Sequence, residues 1–297
     1  MTAPGAGTLS WSAAGIRLGE VDSALAWLRA EAAQEHPGMR TSVLTHLAWV
    51  PERWLEQARE ALSGMDERHP SRTVILVPQP DAGGGRIDAS VSLVSFLVPD
   101  ADRRMVSEVI ELHLVGSRAK APASVVEPLL ISDLPVFLRW RGEPPWGAPE
   151  LEQLVAVVDR LIVDSTEWDD LPHAYARLAE LFERTAVSDI AWARTSRWRS
   201  LLASLWPGIA DVSTLRVHGT YPQALLLGGW LRSRLDRADI RLEHVEAERL
   251  EGIDLDGEPA RFPPGDPPLP SDVLSDELDR FTRDPVYEAA VRAVALS

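Results

Sequence analysis

Apolar positions recur at helical spacing across Val21–Ala33, where Leu25, Leu28 and Ala32 mark one face. Thr41–Val50 reads as a strand, and Pro51 suits the first turn of a helix that follows to Leu62. Thr73-Val74-Ile75-Leu76-Val77 is a short apolar run closed by Pro78, the pattern of a strand covered on both faces of its sheet. Asp81-Ala82-Gly83-Gly84-Gly85 is a flexible break. Ile87–Val98 and Glu108–Val115 alternate apolar with polar residues, and Pro99–Arg104 joins them as an antiparallel pair. Ala121–Ile131 predicts a helix, Pro135–Trp140 a strand, Pro144–Gly147 a loop, Glu150–Val158 a helix and Leu161–Val163 a strand.

The second half repeats the mixture. Leu171–Glu183 predicts a helix. Thr195–Trp206 predicts another, with Thr195 or Ser196 as its N-cap and Pro207-Gly208 as its stop. Leu215–His218 predicts a strand, and Gly219-Thr220 opens a helix to about Leu235. Ile240–Val245 and Arg249–Leu255 predict strands. Glu258–Pro270 holds six prolines and reads as an extended linker. Ser271–Leu296 predicts a helix capped by Ser271. The fold class is therefore α/β: two α/β subdomains with mixed sheets, and a C-terminal helical tail after a Pro-rich linker. The expected divisions are a flexible N-terminus over 1–20, an N-terminal α/β domain over 21–169, a C-terminal α/β domain over 170–257, the linker over 258–270 and the C-terminal helix over 271–297.

Composition narrows the function. The chain has 297 residues, 45% hydrophobic and 25% charged, as folded soluble proteins do. There is no apolar run of 18 residues, and Met1–Ser12 has no signal-peptide pattern. Cysteine is absent, which removes disulfides, thiolate metal sites and Cys nucleophiles, and fits a cytoplasmic location. A formal net charge of −15 disfavours nucleic acid and anionic membranes as partners.

Candidate chemistry is sparse. Gly5-Ala6-Gly7 and Gly83-Gly84-Gly85 lack the strand–helix context of a phosphate loop, and there is no Walker A or Gly-x-Ser-x-Gly sequence. The seven histidines, His36, His46, His69, His113, His173, His218 and His244, show no ligand spacing, so no metal and no cofactor are expected. Asp133, Asp159 and Asp164 flank strands, where carboxylates either act as acids and bases or cap neighbouring turns. His218-Gly219-Thr220-Tyr221, between a strand and a helix, is the most enzyme-like spot and could hold an anion such as a sugar phosphate. The densest feature is Asp189–Leu202, where Trp192, Arg194, Arg197, Trp198 and Arg199 combine the residue types that anchor protein–protein contacts. Trp198 with Leu201, Leu202 and Leu205 also fits a buried helix face, so core and interface roles both remain open.

Several ordered segments resemble the glucose-6-phosphate dehydrogenase assembly protein family (OpcA). They are His69-Pro70-Ser71-Arg72, Val125-Val126-Glu127-Pro128-Leu129-Leu130, Asp133-Leu134-Pro135-Val136 with Trp140 and Gly142, and Asp189–Leu202 with Ile190 replacing a Leu. The resemblance covers roughly residues 20–250. Arg139 and Arg141 around Trp140, the proline-rich linker and the C-terminal helix depart from it. It implies a cytoplasmic, non-catalytic partner that binds glucose-6-phosphate dehydrogenase and favours its active oligomer in the oxidative pentose phosphate pathway. On that reading the Trp192–Arg199 segment supplies part of the contact. The alternative is a sugar-phosphate-binding α/β enzyme or sensor that uses the His218–Thr220 region.

Overall fold

A computed structural model describes residues 7–35, 42–63, 71–98, 103–261 and 270–296. His69-Pro70, the connection from Pro99 to Asp102 and most of the proline-rich linker lie outside them. The chain divides into two compact units, Met1–Leu161 and Ile162–Ser297.

The first unit carries β1 (Gly7–Ala13), α1 (Leu18–Glu35), β2 (Leu44–Trp49), α2 (Leu55–Ser63), β3 (Ser71–Gln79), β4 (Ile87–Val98) and β5 (Arg103–Val115). It continues with α3 (Ala123–Val126), β6 (Val136–Trp140) and α4 (Pro149–Val155), and β7 (Arg160–Val163) lies at the division. The second unit holds α5 (His173–Leu181), β8 (Ala186–Asp189), α6 (Ile190–Arg194), α7 (Ser196–Ser204), β9 (Thr214–Gly219) and α8 (Tyr221–Leu235). After these come β10 (Arg241–Glu246), β11 (Gly252–Leu255), β12 (Glu258–Pro259), α9 (Pro270–Leu278) and α10 (Pro285–Ala295). The larger sheet has the order β1-β4-β5-β3-β2-β6-β7-β8, the smaller β10-β9-β11-β12. The fold class is mixed α/β, as the sequence pattern indicates.

Parallel pairing of β2 with β3 and β6 puts these strands at the centre of their sheet. Every residue of β2 is buried, including Thr45 and His46, which explains the near-continuous apolar runs. β4 and β5 pair antiparallel as expected, with Ser92 opposite Val109. Alternation along β4 buries Val91 and Leu93 and leaves Ser90 and Ser92 half-covered on the other face.

Three expectations need correction. Residues 7–13 are not loose: they form edge strand β1, antiparallel to β4, with Ser10 opposite Ser92. Ser10 and Ser12 face outward while Leu9 and Trp11 are partly covered, a period-two pattern hidden by the small residues around it. The helix read over Ala121–Ile131 is only α3 and a 3-10 turn, Glu127–Leu129, because Pro128 cannot continue an α-helical hydrogen-bond ladder. The tail is two helices, not one. Asp284 starts the second: its Oδ1 accepts from the N–H groups of Val286 and Tyr287, both at 3.0 Å, and Pro285 fills the first helical position.

In the second unit α8 is apolar nearly all round because both sides are covered. Gly228 lies against Leu242 of β10, and Gly229 against Ala290 and Val294 of α10. The helix opens where expected, with the Gln223 side chain accepting from the Thr220 N–H at 3.2 Å.

Candidate functional site

The segment that stands out in the sequence forms the end of β8, α6 and α7. Asp189 is the last residue of β8 and is extended (φ −127°, ψ 123°), so its side chain can fold over the start of α6. Its Oδ1 accepts from Ala191 N–H at 2.9 Å and from Ser165 N–H at 3.1 Å. The Tyr287 hydroxyl donates to Oδ2 at 3.4 Å. Burial, reinforced by the nearby Asp164 carboxylate, pushes the Asp189 carboxyl up to about 7 despite these donors. Burial also holds the Tyr175 and Tyr287 hydroxyls well above their ordinary range, so both stay protonated donors. Tyr175 donates to Ser165 Oγ at 2.8 Å.

Asp189, rather than Thr195 or Ser196, is thus the cap in this segment. Thr195 is helical, and its hydroxyl donates back to the Trp192 carbonyl at 2.7 Å. That bond makes α6 and α7 nearly continuous. Neither β8, four residues with one large apolar side chain, nor the five-residue α6 carries a periodic signal.

The five residues singled out from the sequence divide by burial. Trp192 and Trp198 are 2% and 5% exposed. The Trp192 indole N–H donates to Asp284 Oδ2 at 3.0 Å, and its ring packs against Tyr287, with centroids 5.6 Å apart. Arg199 lays its guanidinium 3.4 Å over the Trp192 ring and donates from Nε to Thr195 Oγ1 at 3.0 Å. Burial lowers Arg199 to about 10, so it stays charged at neutral pH. Arg194 pairs with Asp164 at 3.2 Å and, like Arg197, is only partly covered. The indoles therefore point into the unit while Arg194 and Arg197 reach its surface.

Beyond them α7 ends in an exposed stretch. Ser200–Ala210 contains no charged residue, in a chain that is 25% charged. Leu205 is 40% and Trp206 65% exposed. Leu205, expected on the buried Trp198 face, is the residue that caps the C-terminal end of α7 and is exposed, unlike Leu202.

The other candidates hold structural bonds. Asp159 Oδ2 accepts from Val136 N–H at 2.8 Å, and Asp164 Oδ1 from the Thr166 hydroxyl at 2.6 Å. Asp133 occupies a turn at φ 66°. His218 lies on β9 with Nε2 at 3.1 Å from Asp254 Oδ2, and Arg216 beside it pairs with Glu243 at 2.8 Å and with Asp254 at 3.6 Å. Both side chains are therefore already engaged by carboxylates. Among the described residues no group of three or more His, Asp or Glu could hold a metal ion, and no helix is long and apolar enough to cross a membrane.

The cluster around Asp189 is thus an internally bonded polar network within an α/β fold, followed along the chain by the exposed end of α7. Residues 63–180 match the family model for the glucose-6-phosphate dehydrogenase subunit N-terminal domain, and residues 185–263 the model for its C-terminal domain. The chain belongs to the glucose-6-phosphate dehydrogenase assembly protein (OpcA) family. Relatives named "Putative OxPP cycle protein OpcA" occur in Nostoc punctiforme and Synechococcus elongatus. The first is 28% identical over 180 residues, 57% of this chain and 38% of its own length. The second is 26% identical over 229 residues, 70% of this chain and 51% of its own length. The chain thus spans about half, or less, of these relatives.

Proposed function

We propose that this protein binds glucose-6-phosphate dehydrogenase and favours its active oligomer without doing chemistry of its own, and that it works in the cytoplasm. Membership of the assembly family carries the reading, and two features of the second unit support it. The end of α7 offers exposed Leu205 and Trp206 within Ser200–Ala210, a stretch of chain without a charged residue, and indoles of this kind anchor interface centres. Arg194 and Arg197 stand at the surface of the same segment, while Trp192, Trp198 and Arg199 fix the backbone that carries them.

A binder activates only through a preference for the active state. A tenfold shift of the enzyme's population needs about 1.4 kcal/mol of differential affinity, well within the reach of one buried indole. The test is the specific activity and mass of the host's dehydrogenase, measured with and without this protein. Higher activity at low enzyme concentration together with a heavier co-eluting complex is expected. Unchanged activity and no complex would refute the reading.

A further inference from the structure

The two faces of the β4 and β5 pair are covered differently. On one, Arg29 of α1 reaches Glu108 of β5. On the other, Arg59 of α2 reaches Glu111 of β5, its Nε and Nη2 donating to the two carboxylate oxygens at 2.9 and 2.7 Å. Glu56, one turn earlier on α2, pairs with the same guanidinium. Between α2 and β4, beside this fork, lies a cavity of about 360 Å³, within the size range of small-ligand pockets.

Strand register builds its floor. Ser90 of β4 stands opposite Glu111 of β5, which stands opposite Ile75 of β3, and Ser92 stands opposite Val109. Opposed residues and alternate residues along a strand share a face, so Val94 joins Ser90 and Ser92 there. Ile75, Val94 and Val109, with Leu62 from α2, make the apolar part of the lining. Ser90, Ser92 and Glu111 make the polar part. The hydroxyls of Ser90 and Ser92 make no hydrogen bond to any described residue. On edge strand β1, exposed Ser12 lies opposite Ser90 and exposed Ser10 opposite Ser92, so the hydroxyl rows continue outward along the sheet.

Charge decides what fits. Burial alone would raise the Glu111 carboxyl, but hydrogen bonds from Arg59 and His113 outweigh it and hold the group below its ordinary value, so it is charged at neutral pH. Arg59 is matched by Glu111 and Glu56, so an anionic ligand meets a carboxylate and gains no spare cation. A cationic ligand has to compete with the Arg59 fork for Glu111. A neutral polyhydroxylated ring meets neither obstacle. Its hydroxyls exchange hydrogen bonds with Ser90 and Ser92 and donate to the remaining lone pairs of Glu111, while its C–H groups lie on Ile75, Val94 and Val109. We propose that the cavity between α2 and β4 binds a neutral sugar, held by Ser90, Ser92 and Glu111 over this apolar floor. The site lies wholly in the first unit and does not depend on the proposed dehydrogenase contact.

Calorimetric titration of the full chain with the neutral sugars glucose and maltose and with anionic glucuronate tests it. Saturable binding of a neutral sugar is expected, with glucuronate at least tenfold weaker. Ser92→Val keeps a strand-forming residue and should weaken the sugar about tenfold, because a ligand hydroxyl loses its partner. Ser90→Val repeats the test at the second hydroxyl, and thermal unfolding checks that each variant is folded. No saturable binding of either neutral sugar, glucuronate bound as tightly as they are, or unchanged affinity in the folded variants would each overturn the proposal.

Discussion

Asp284 serves two elements at once: its Oδ2 accepts the Trp192 indole N–H at 3.0 Å, across 92 residues of chain, while its Oδ1 caps α10. One carboxylate thereby couples the start of the last helix to α6. Asp284→Ala removes the cap and leaves a buried indole donor unmatched. A loss of about 2–3 kcal/mol in urea unfolding is expected, with Asp284→Asn costing less because it keeps an acceptor.

The Asp189 carboxyl makes stability depend on pH in the unusual direction. Its pKa is raised from an ordinary 3.8 to about 7, so the folded chain keeps a proton that the unfolded chain releases. This contribution is fully present below pH 3.8 and is lost as pH rises through about 7. Asp189→Asn is neutral throughout. Stability of the native chain relative to this variant should fall by up to about 1.4 kcal/mol per pH unit across that window. Parallel pH profiles of the two unfolding midpoints would refute the buried-acid assignment.

Close packing of α8 on α10 depends on Gly229. An added Cβ there would stand 2.3 Å from the Ala290 carbonyl oxygen and 2.7 Å from Val294 Cγ2. Gly229→Ala should destabilise by about 1–3 kcal/mol, although alanine favours an unencumbered helix by about 1 kcal/mol. Gly19→Ala in α1 meets nothing within 4 Å and serves as the control, with stability unchanged or raised. Thermal unfolding of both variants reads the contrast.

The proposed dehydrogenase contact uses Trp206 outside the fold. At 65% exposure, Trp206→Ser should change unfolding free energy by no more than about 0.5 kcal/mol. Its affinity for the dehydrogenase should fall about tenfold or more, as interface indoles behave. Trp192→Phe should instead lower stability through the lost bond to Asp284. Calorimetric binding beside denaturation separates the two tryptophans.

The buried strand β3 was legible because Thr73–Val77 is covered on both faces and reads as an apolar run. The Thr220 start of α8 was legible because cap chemistry is local. β1, β8 and α6 were not: each is short, and tertiary pairing rather than periodicity holds it. The density of Trp and Arg singles out Asp189–Leu202, yet residue type alone does not say which way an indole points. Asp284 and Tyr287 complete that cluster from the far end of the chain, and no local signal links them to it.

Titrating the dehydrogenase with this protein, while following both its activity and the mass of the complex by light scattering, tests the central claim most directly. Activity should rise in step with a heavier complex, and Trp206→Ser should shift both curves to higher concentration. A native chain that leaves activity and mass unchanged at every ratio would contradict the binding function itself. Equal curves for the native chain and Trp206→Ser would contradict only the placement of the contact at the end of α7.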